Sequence, residues 1–199
     1  MNKAHDRPEL ILASKSPRRS DLFKQAGLTF SITPSDFDES SVTLSDPESY
    51  VRTLAKSKTI DISRKHPDSW VLGADTIVLI EDRILGKPGS KDEARSMLKQ
   101  LSGKTHQVIT SYCLGCHTKN KLFSETVQTN VRFKTLRDTE IEWYIQTGEP
   151  FDKAGAYAIQ GVGTFLVKSI NGSYTNVVGL PICEVMELLI NEGVVELNL

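Results

Sequence analysis

Leu10-Ile11-Leu12-Ala13-Ser14-Lys15-Ser16-Pro17-Arg18-Arg19 is the stretch on which the reading of this 199-residue chain turns. Its apolar start is long enough for one buried strand and breaks at Ser14. A helix opens at once, with Ser16 as N-cap and Pro17 at the first helical position. Arg18 and Arg19 then stand in the first turn, where acidic residues would be the favourable choice. Two cations beside the positive end of a helix dipole repel it, at a cost of about a few tenths of a kcal/mol or more. An anion seated there removes the conflict. Free backbone N–H groups, two hydroxyls and two guanidinium forks converge on one point, which suits phosphate oxygens. The plainer alternative is a pair of solvated arginines matched to Asp21 or Glu9.

Working outward, strands and helices alternate, with hairpins in the middle. The pattern predicts strands over 10–14 and 29–33, and a helix over 17–26 stopped by Gly27. A longer helix starts at Asp46-Pro47-Glu48 and runs to about Lys65, burying Val51, Leu54, Ala55 and Ile62. Trp70–Ile80 is a strongly apolar strand, turned back by Glu81-Asp82 into 83–86. Ser90 and Glu93 form a capping box for a helix that ends at Gly103. Strands over 107–114 and 122–133 flank a hairpin turn, and helices cover Asp138–Gln146 and 182–192. The glycine-rich 154–181 stretch carries turns at Asn171-Gly172 and Gly179-Leu180-Pro181. This mixture indicates an α/β or α+β domain around a mixed sheet, without repeats.

Composition narrows the function. A chain of this length buries about 70% of its unfolded surface and needs no metal or disulfide to fold. The formal net charge of −1 gives no reason to expect a nucleic-acid partner, which calls for a basic face. No apolar run reaches a membrane span and no signal peptide opens the chain, so the default compartment is the cytoplasm. Cys113-Leu114-Gly115-Cys116-His117 matches a haem-attachment pattern, but export is lacking and a zinc site would want a second ligand pair. Two ordinary thiols near a turn is the preferred reading.

Charge is also placed where packing alone would not put it. Asp75 lies in the middle of Trp70–Ile80, where a carboxylate costs several kcal/mol unless a cation, a metal or donors meet it. Gly73 and Ala74 leave space for something to approach. Lys58 continues the apolar stripe of its helix, and Lys87 ends the strand returning from that of Asp75, so both are candidate cations. Glu39, among the acids of Asp36-Phe37-Asp38-Glu39, could help hold a divalent metal, or could be an ordinary solvated acid. In the segment from Asp152 to Gly163, small residues around Tyr157 and Gln160 would admit a flat ligand. Gln160 offers both the donor and the acceptor that a base edge needs. A glycine-rich hairpin without a ligand is the alternative.

Together these segments resemble the Maf family, named for septum-formation inhibition and similar to nucleoside triphosphate pyrophosphatases. The matching stretches are Leu12 to Arg19, Arg52 to Lys58, Leu72 to Val78, Leu85 to Pro88, Leu101 to His106, Asp152 to Gly161 and Asn171 to Pro181, in the family's order. The resemblance implies an α/β fold, a mixed twisted sheet flanked by helices in two lobes with a central cleft. It implies hydrolysis of a nucleoside triphosphate to the monophosphate and pyrophosphate with a divalent metal, Mg²⁺ or Mn²⁺, and so the removal of non-standard or excess nucleotides. Asp75 would be the catalytic acid/base position, with Arg18, Thr76 and Gln160 setting substrate choice. Ala74-Asp75-Thr76 and Ala158-Ile159-Gln160-Gly161 resemble the branch acting on dTTP and UTP, and a sister branch acts on a methylated guanosine triphosphate. Thr59 stands in place of a usual alanine and Lys15 in place of a small residue.

The expected site therefore has the triphosphate on Ser14 to Arg19, with Arg18, Arg19, Lys58 and Lys87 neutralising it. Asp75 and Glu39 would hold the metal, and Thr76 and Gln160 the base. Whether Asp75 takes the proton, holds the metal or does both is open, as is the oligomeric state, a homodimer included. The rivals are the same reaction on a modified or purine nucleotide and a nucleotide-binding regulator of division without turnover.

Overall fold

The computed structural model describes residues 9–43 and 46–196. In chain order the elements are β1 (Leu10–Leu12), α1 (Pro17–Gln25), β2 (Ser31–Ile32), α2 (Pro47–Lys65), β3 (Trp70–Ile80), β4 (Arg83–Leu85) and α3 (Lys91–Leu101). They continue with β5 (Thr105–Cys116), β6 (Lys121–Phe133), α4 (Asp138–Gln146), β7 (Val167–Asn171), α5 (Tyr174–Val178) and α6 (Ile182–Asn191). The strands form one seven-stranded mixed sheet in the order β2-β1-β3-β5-β6-β7, with β4 paired to β3.

β3 organises the molecule because its two ends have different neighbours along one edge. β1 runs parallel to its first part, Leu10 to Leu12 opposite Trp70 to Leu72. β4 runs antiparallel to its last part, Leu85 to Arg83 opposite Val78 to Ile80. Between them the edge forks open beside Ala74, Asp75 and Thr76. The other edge is fully paired with β5, from Val71 opposite Gly115 to Leu79 opposite Gln107.

The alternation of β3 sends its two sets of side chains to two different layers. Leu72 and Ala74 pack with α1 and α6 through Leu22, Phe23, Val185 and Leu189. Val78 and Ile80 pack with α3 and α4 through Ala94, Leu98, Ile141 and Ile145. One face of the sheet thus carries two apolar clusters, one toward each end, and these are the cores of the two lobes. The opposite face is covered by α2, whose Ile62 meets Val71 and whose Val51 meets Ile77.

Close approach of α2 explains Gly73. A Cβ there would lie 2.6 Å from the Thr59 hydroxyl and 2.8 Å from the Ala55 carbonyl. The space left by Gly73 is filled by the helix, not by a ligand. Thr59 secures the contact: its hydroxyl accepts from the Gly73 N–H at 3.0 Å and donates toward the Cys113 carbonyl at 2.9 Å.

Several local expectations change. Ser16 sits at the N-cap position of α1 but its side chain makes no capping bond; the Ser14 hydroxyl takes the Ser16 N–H instead, at 3.2 Å. In α3 the Ser90 side chain accepts from Glu93 N, but the Glu93 carboxylate reaches the N–H of Gly89, not that of Ser90. The 152–163 segment is not a hairpin, and the glycine-rich 154–181 stretch holds more than turns. It contains 3-10 turns, an edge strand β7 and the short helix α5, missed because glycine breaks both periodicities. Cys113 and Cys116 are buried within β5, three positions apart and hence on opposite faces. Burial pushes the Cys113 thiol up to about 11.

Candidate active site

The fork in the sheet edge opens into a cleft of about 730 Å³, within the range of small-molecule sites. Among the described residues, six cations line it (Lys15, Arg18, Arg19, Lys58, Lys87 and Lys153) against four carboxylates, Asp36, Glu39, Asp75 and Asp152. A surplus of positive charge in a chain of net charge −1 is what a polyanion needs.

At the centre are the three charges of Asp75, Lys58 and Glu39. The Gly73–Thr59 contact sets α2 against β3 so that Lys58, the neighbour of Thr59, reaches Asp75, two residues beyond Gly73 on the same face. Lys58 Nζ donates to Asp75 Oδ1 at 2.6 Å and meets Glu39 Oε1 at 2.8 Å. The side chains of Lys58 and Asp75 are 11% and 15% exposed and that of Glu39 is 56%. The inner pair is therefore shielded and the outer acid faces solvent. The shielded carboxylate of β3 and the lysine on the apolar stripe of α2 compensate each other's partial burial.

Arg19 and Arg18 differ in role although they are adjacent. Arg19 donates from Nε to Gly179 O at 2.8 Å and from Nη1 to Ala74 O at 2.9 Å and Ser14 Oγ at 3.2 Å. From Nη2 it donates to Thr76 Oγ1 at 3.0 Å. Its fork bridges the sheet edge where no strand pairs with Ala74, tying β1, β3 and the segment after α5 together. Burial lowers its pKa, an effect that the Asp75 charge offsets only in part, and a guanidinium remains charged throughout. The expectation that Arg19 presents a free fork to phosphate needs correction, since most of its donors are occupied by protein oxygens. The Thr76 hydroxyl is similarly engaged, by Arg19, by Thr110 at 2.9 Å and by the Gly179 carbonyl at 3.3 Å. It lines the cleft as part of this network.

Arg18 faces the cleft and meets Asp152 at 2.9 Å, not Asp21 or Glu9. Asp152 also accepts from Lys153 at 2.5 Å. Burial raises the Asp152 pKa, but donation from Lys153 and Arg18 outweighs it and holds the carboxyl below the ordinary range. Lys87, exposed on the segment after β4, makes no ion pair among the described residues, and the Gln160 amide makes no hydrogen bond among them; both line the cleft. Lys15 meets Asp36 at 3.7 Å on the surface. Arg18, Lys87 and Asp75 therefore face one cavity, although they are separated by most of a lobe in sequence. Sequence reasoning assigned no role to Asp152 and Lys153. Their signal was an acid and a base at the head of the segment already singled out for Gln160.

A family model described as Maf-like protein matches residues 9–192. The chain belongs to the Maf family. A Maf relative from Syntrophus aciditrophicus (strain SB), named "dTTP/UTP pyrophosphatase", is 47% identical over 185 residues, covering 93% of this chain and 90% of its own. One from Halalkalibacterium halodurans with the same name is 51% identical over 180 residues, 90% of this chain and 94% of that one. The solved structure of the Staphylococcus aureus Ham1 protein covers 92% of this chain and 99% of its own, at a TM-score of 0.48 and 12% identity.

As for a metal, no group of three or more His, Cys, Asp or Glu side chains is placed to hold one among the described residues of this Maf protein. The donor set nonetheless fits Mg²⁺ or Mn²⁺. Such ions take one or two carboxylates and fill their remaining positions with phosphate oxygens and water; Asp75 and Glu39 supply two carboxylates, which meet at the Lys58 ammonium, so an ion between them would have to displace Lys58 Nζ. No helix among the described residues is long and apolar enough to cross a membrane.

Proposed function

We propose that this Maf protein hydrolyses dTTP and UTP to the nucleoside monophosphate and pyrophosphate. The observation that carries the reading is the shielded Asp75–Lys58 pair at the floor of a cleft with a surplus of cations. The relatives named for that reaction, at 47% and 51% identity over nine-tenths of the chain, support the choice of substrate.

Arg18, Lys87 and Lys58 would bind the triphosphate. The Arg18–Asp152 pair is 26% and 60% exposed at its two side chains, so an incoming phosphate competes with Asp152 for the guanidinium in a partly aqueous setting. Asp75 would take the proton of the attacking water as its oxygen bonds to the α-phosphorus. The bond from that phosphorus to the bridging oxygen breaks, and pyrophosphate leaves with the electron pair. Lys58, held between two carboxylates, keeps Asp75 oriented until substrate arrives. Asp75 and Glu39 would hold a divalent metal, which when bound supplies charge neutralisation at the phosphate oxygens. Gln160 would hydrogen-bond the pyrimidine edge, where an unpaired buried group penalises the wrong base.

The test is pyrophosphate release from dTTP, UTP, CTP and a methylated guanosine triphosphate, with Mg²⁺, with Mn²⁺ and after chelation. We expect turnover of dTTP and UTP that chelation abolishes. Asp75→Asn should lower kcat by about 10²–10⁴-fold, the range for a lost general base. Near wild-type turnover in that variant removes Asp75 from the chemistry, and preference for the guanosine nucleotide overturns the substrate assignment.

A further inference from the structure

The loop that presents Gln160 is built around a single carboxylate that touches no part of the catalytic cluster. Glu149 lies in the 3-10 turn Glu149–Asp152 after α4, and its side chain reaches across to the chain beyond Gln160. Oε2 accepts from the Val162 N–H at 3.0 Å and Oε1 from the Gly163 N–H at 2.9 Å. The Tyr144 hydroxyl donates to Oε1 at 2.7 Å and accepts from the Ala158 N–H at 3.2 Å. Burial and the Glu149 carboxylate raise the Tyr144 pKa, so the phenol remains a donor. The clasp thus grips both flanks of Gln160, two residues before it and two and three after.

The glycines here follow from the same contact. Gly161 has φ +66°, and a Cβ would lie 2.6 Å from Glu149 Oε2. At Gly163 a Cβ would lie 2.3 Å from the Ala158 carbonyl and 2.7 Å from the Tyr144 hydroxyl. The sequence is glycine-rich at this point so that the backbone can wrap a carboxylate, and the wrap leaves Gln160 extended, at φ −98° and ψ 169°, on the cleft wall.

We propose that Glu149, with Tyr144, is a positioning residue for base selection: it holds the 158–163 loop so that the Gln160 amide meets the base edge at a fixed place. The proposal rests on the reading that Gln160 faces the base of the substrate. A loop left to move presents its amide in many places, and discrimination between bases that differ in one donor or acceptor falls. Among the described residues, the clasp side chains make no hydrogen bond to α1, α2 or β3, and their link to the phosphate half runs through the turn Glu149–Asp152, whose Asp152 pairs with Arg18.

The test compares Glu149→Gln, Tyr144→Phe and Gln160→Ala with wild type on UTP and CTP. Glu149→Gln should raise KM for UTP about tenfold, the scale of one lost hydrogen bond, while kcat falls by less than about threefold. Its UTP-to-CTP ratio of kcat/KM should fall toward that of Gln160→Ala, and adding it to Gln160→Ala should lower kcat/KM no further. Tyr144→Phe, which leaves the carboxylate in place, should shift KM and selectivity the same way by a smaller factor. A Glu149→Gln protein that loses thermal stability but keeps wild-type KM and selectivity overturns the proposal, as do effects that multiply with those of Gln160→Ala. If wild type releases no pyrophosphate, the proposed reaction fails and the clasp is read from calorimetric binding of the same two nucleotides. There, a base preference in wild type that Glu149→Gln erases supports the clasp; an unchanged preference, or none in wild type, overturns it.

Discussion

Arg18 and Arg19 carry the same charge in the same turn of α1, and their neighbours give them different work. The guanidinium of Arg19 is held by Gly179, Ala74, Ser14 and Thr76, whereas Arg18 makes one ion pair at the cleft wall. A planar fork of five donors can satisfy four acceptors around a break in a sheet, more than the three donors of an ammonium can reach. Arg19→Lys should therefore destabilise the fold by about 2–3 kcal/mol, the scale of charge-assisted hydrogen bonds lost from a shielded site. Urea unfolding measures this, and a change below about 0.5 kcal/mol, the usual range of a neutral surface change, would show that the network contributes little. The sequence marked both arginines as out of place at a helix N-terminus, which was sound. It could not separate them, because the difference lies in carbonyls of residues 74 and 179 that only folding brings near.

Among elements, the packing of α2 on β3 governs the chemistry. The helix approaches closely enough that Gly73 has no room for a side chain, and Thr59 binds across the contact to β3 and β5. Thr59 therefore has a structural role. Gly73→Ala must push α2 outward or bend β3, and should cost about 1–3 kcal/mol, as overpacking does. It should also lower kcat, because Lys58 and Asp75 sit on the two elements being separated. Equilibrium unfolding and steady-state turnover of the variant check both halves, and a stable, fully active Gly73→Ala protein would show that the contact gives way easily. The apolar stripe of α2, the bounds of β3 and the helix Asp138–Gln146 were all legible from periodicity, since each is long and regular. The short β7 and α5 were not, because their few residues carry no period.

At the scale of the whole molecule, the sheet passes through both lobes while the covering helices split into two groups, and the cleft lies where they part. His106 in β5 belongs to the core of the α3–α4 lobe. It is 2% exposed, its Nε2 meets the Tyr157 hydroxyl at 2.7 Å and its Nδ1 has no partner among the described residues. Burial pushes its pKa down to about 4, from an ordinary 6.5. Between those values the unfolded chain binds the proton and the folded one does not. The stability linked to His106 is thus complete above pH 6.5 and is lost as the pH falls toward 4, by about 3 kcal/mol. Urea unfolding at pH 7 and pH 4.5 should show a larger loss for wild type than for His106→Gln. Equal losses would mean that other groups carry the acid sensitivity.

The order of the longer strands and helices, the buried stripes and the unusual charges at Arg18, Lys58 and Asp75 were determined by sequence alone, because periodicity and burial penalties act locally. Tertiary structure decided which charges meet. It paired Lys58 with Asp75 and Glu39, turned Arg19 and Thr76 into the brace of a broken sheet edge, and gave Glu149 the loop of Gln160. Contacts between residues far apart in the chain depend on distances set by packing, and no local pattern of residue types records those distances.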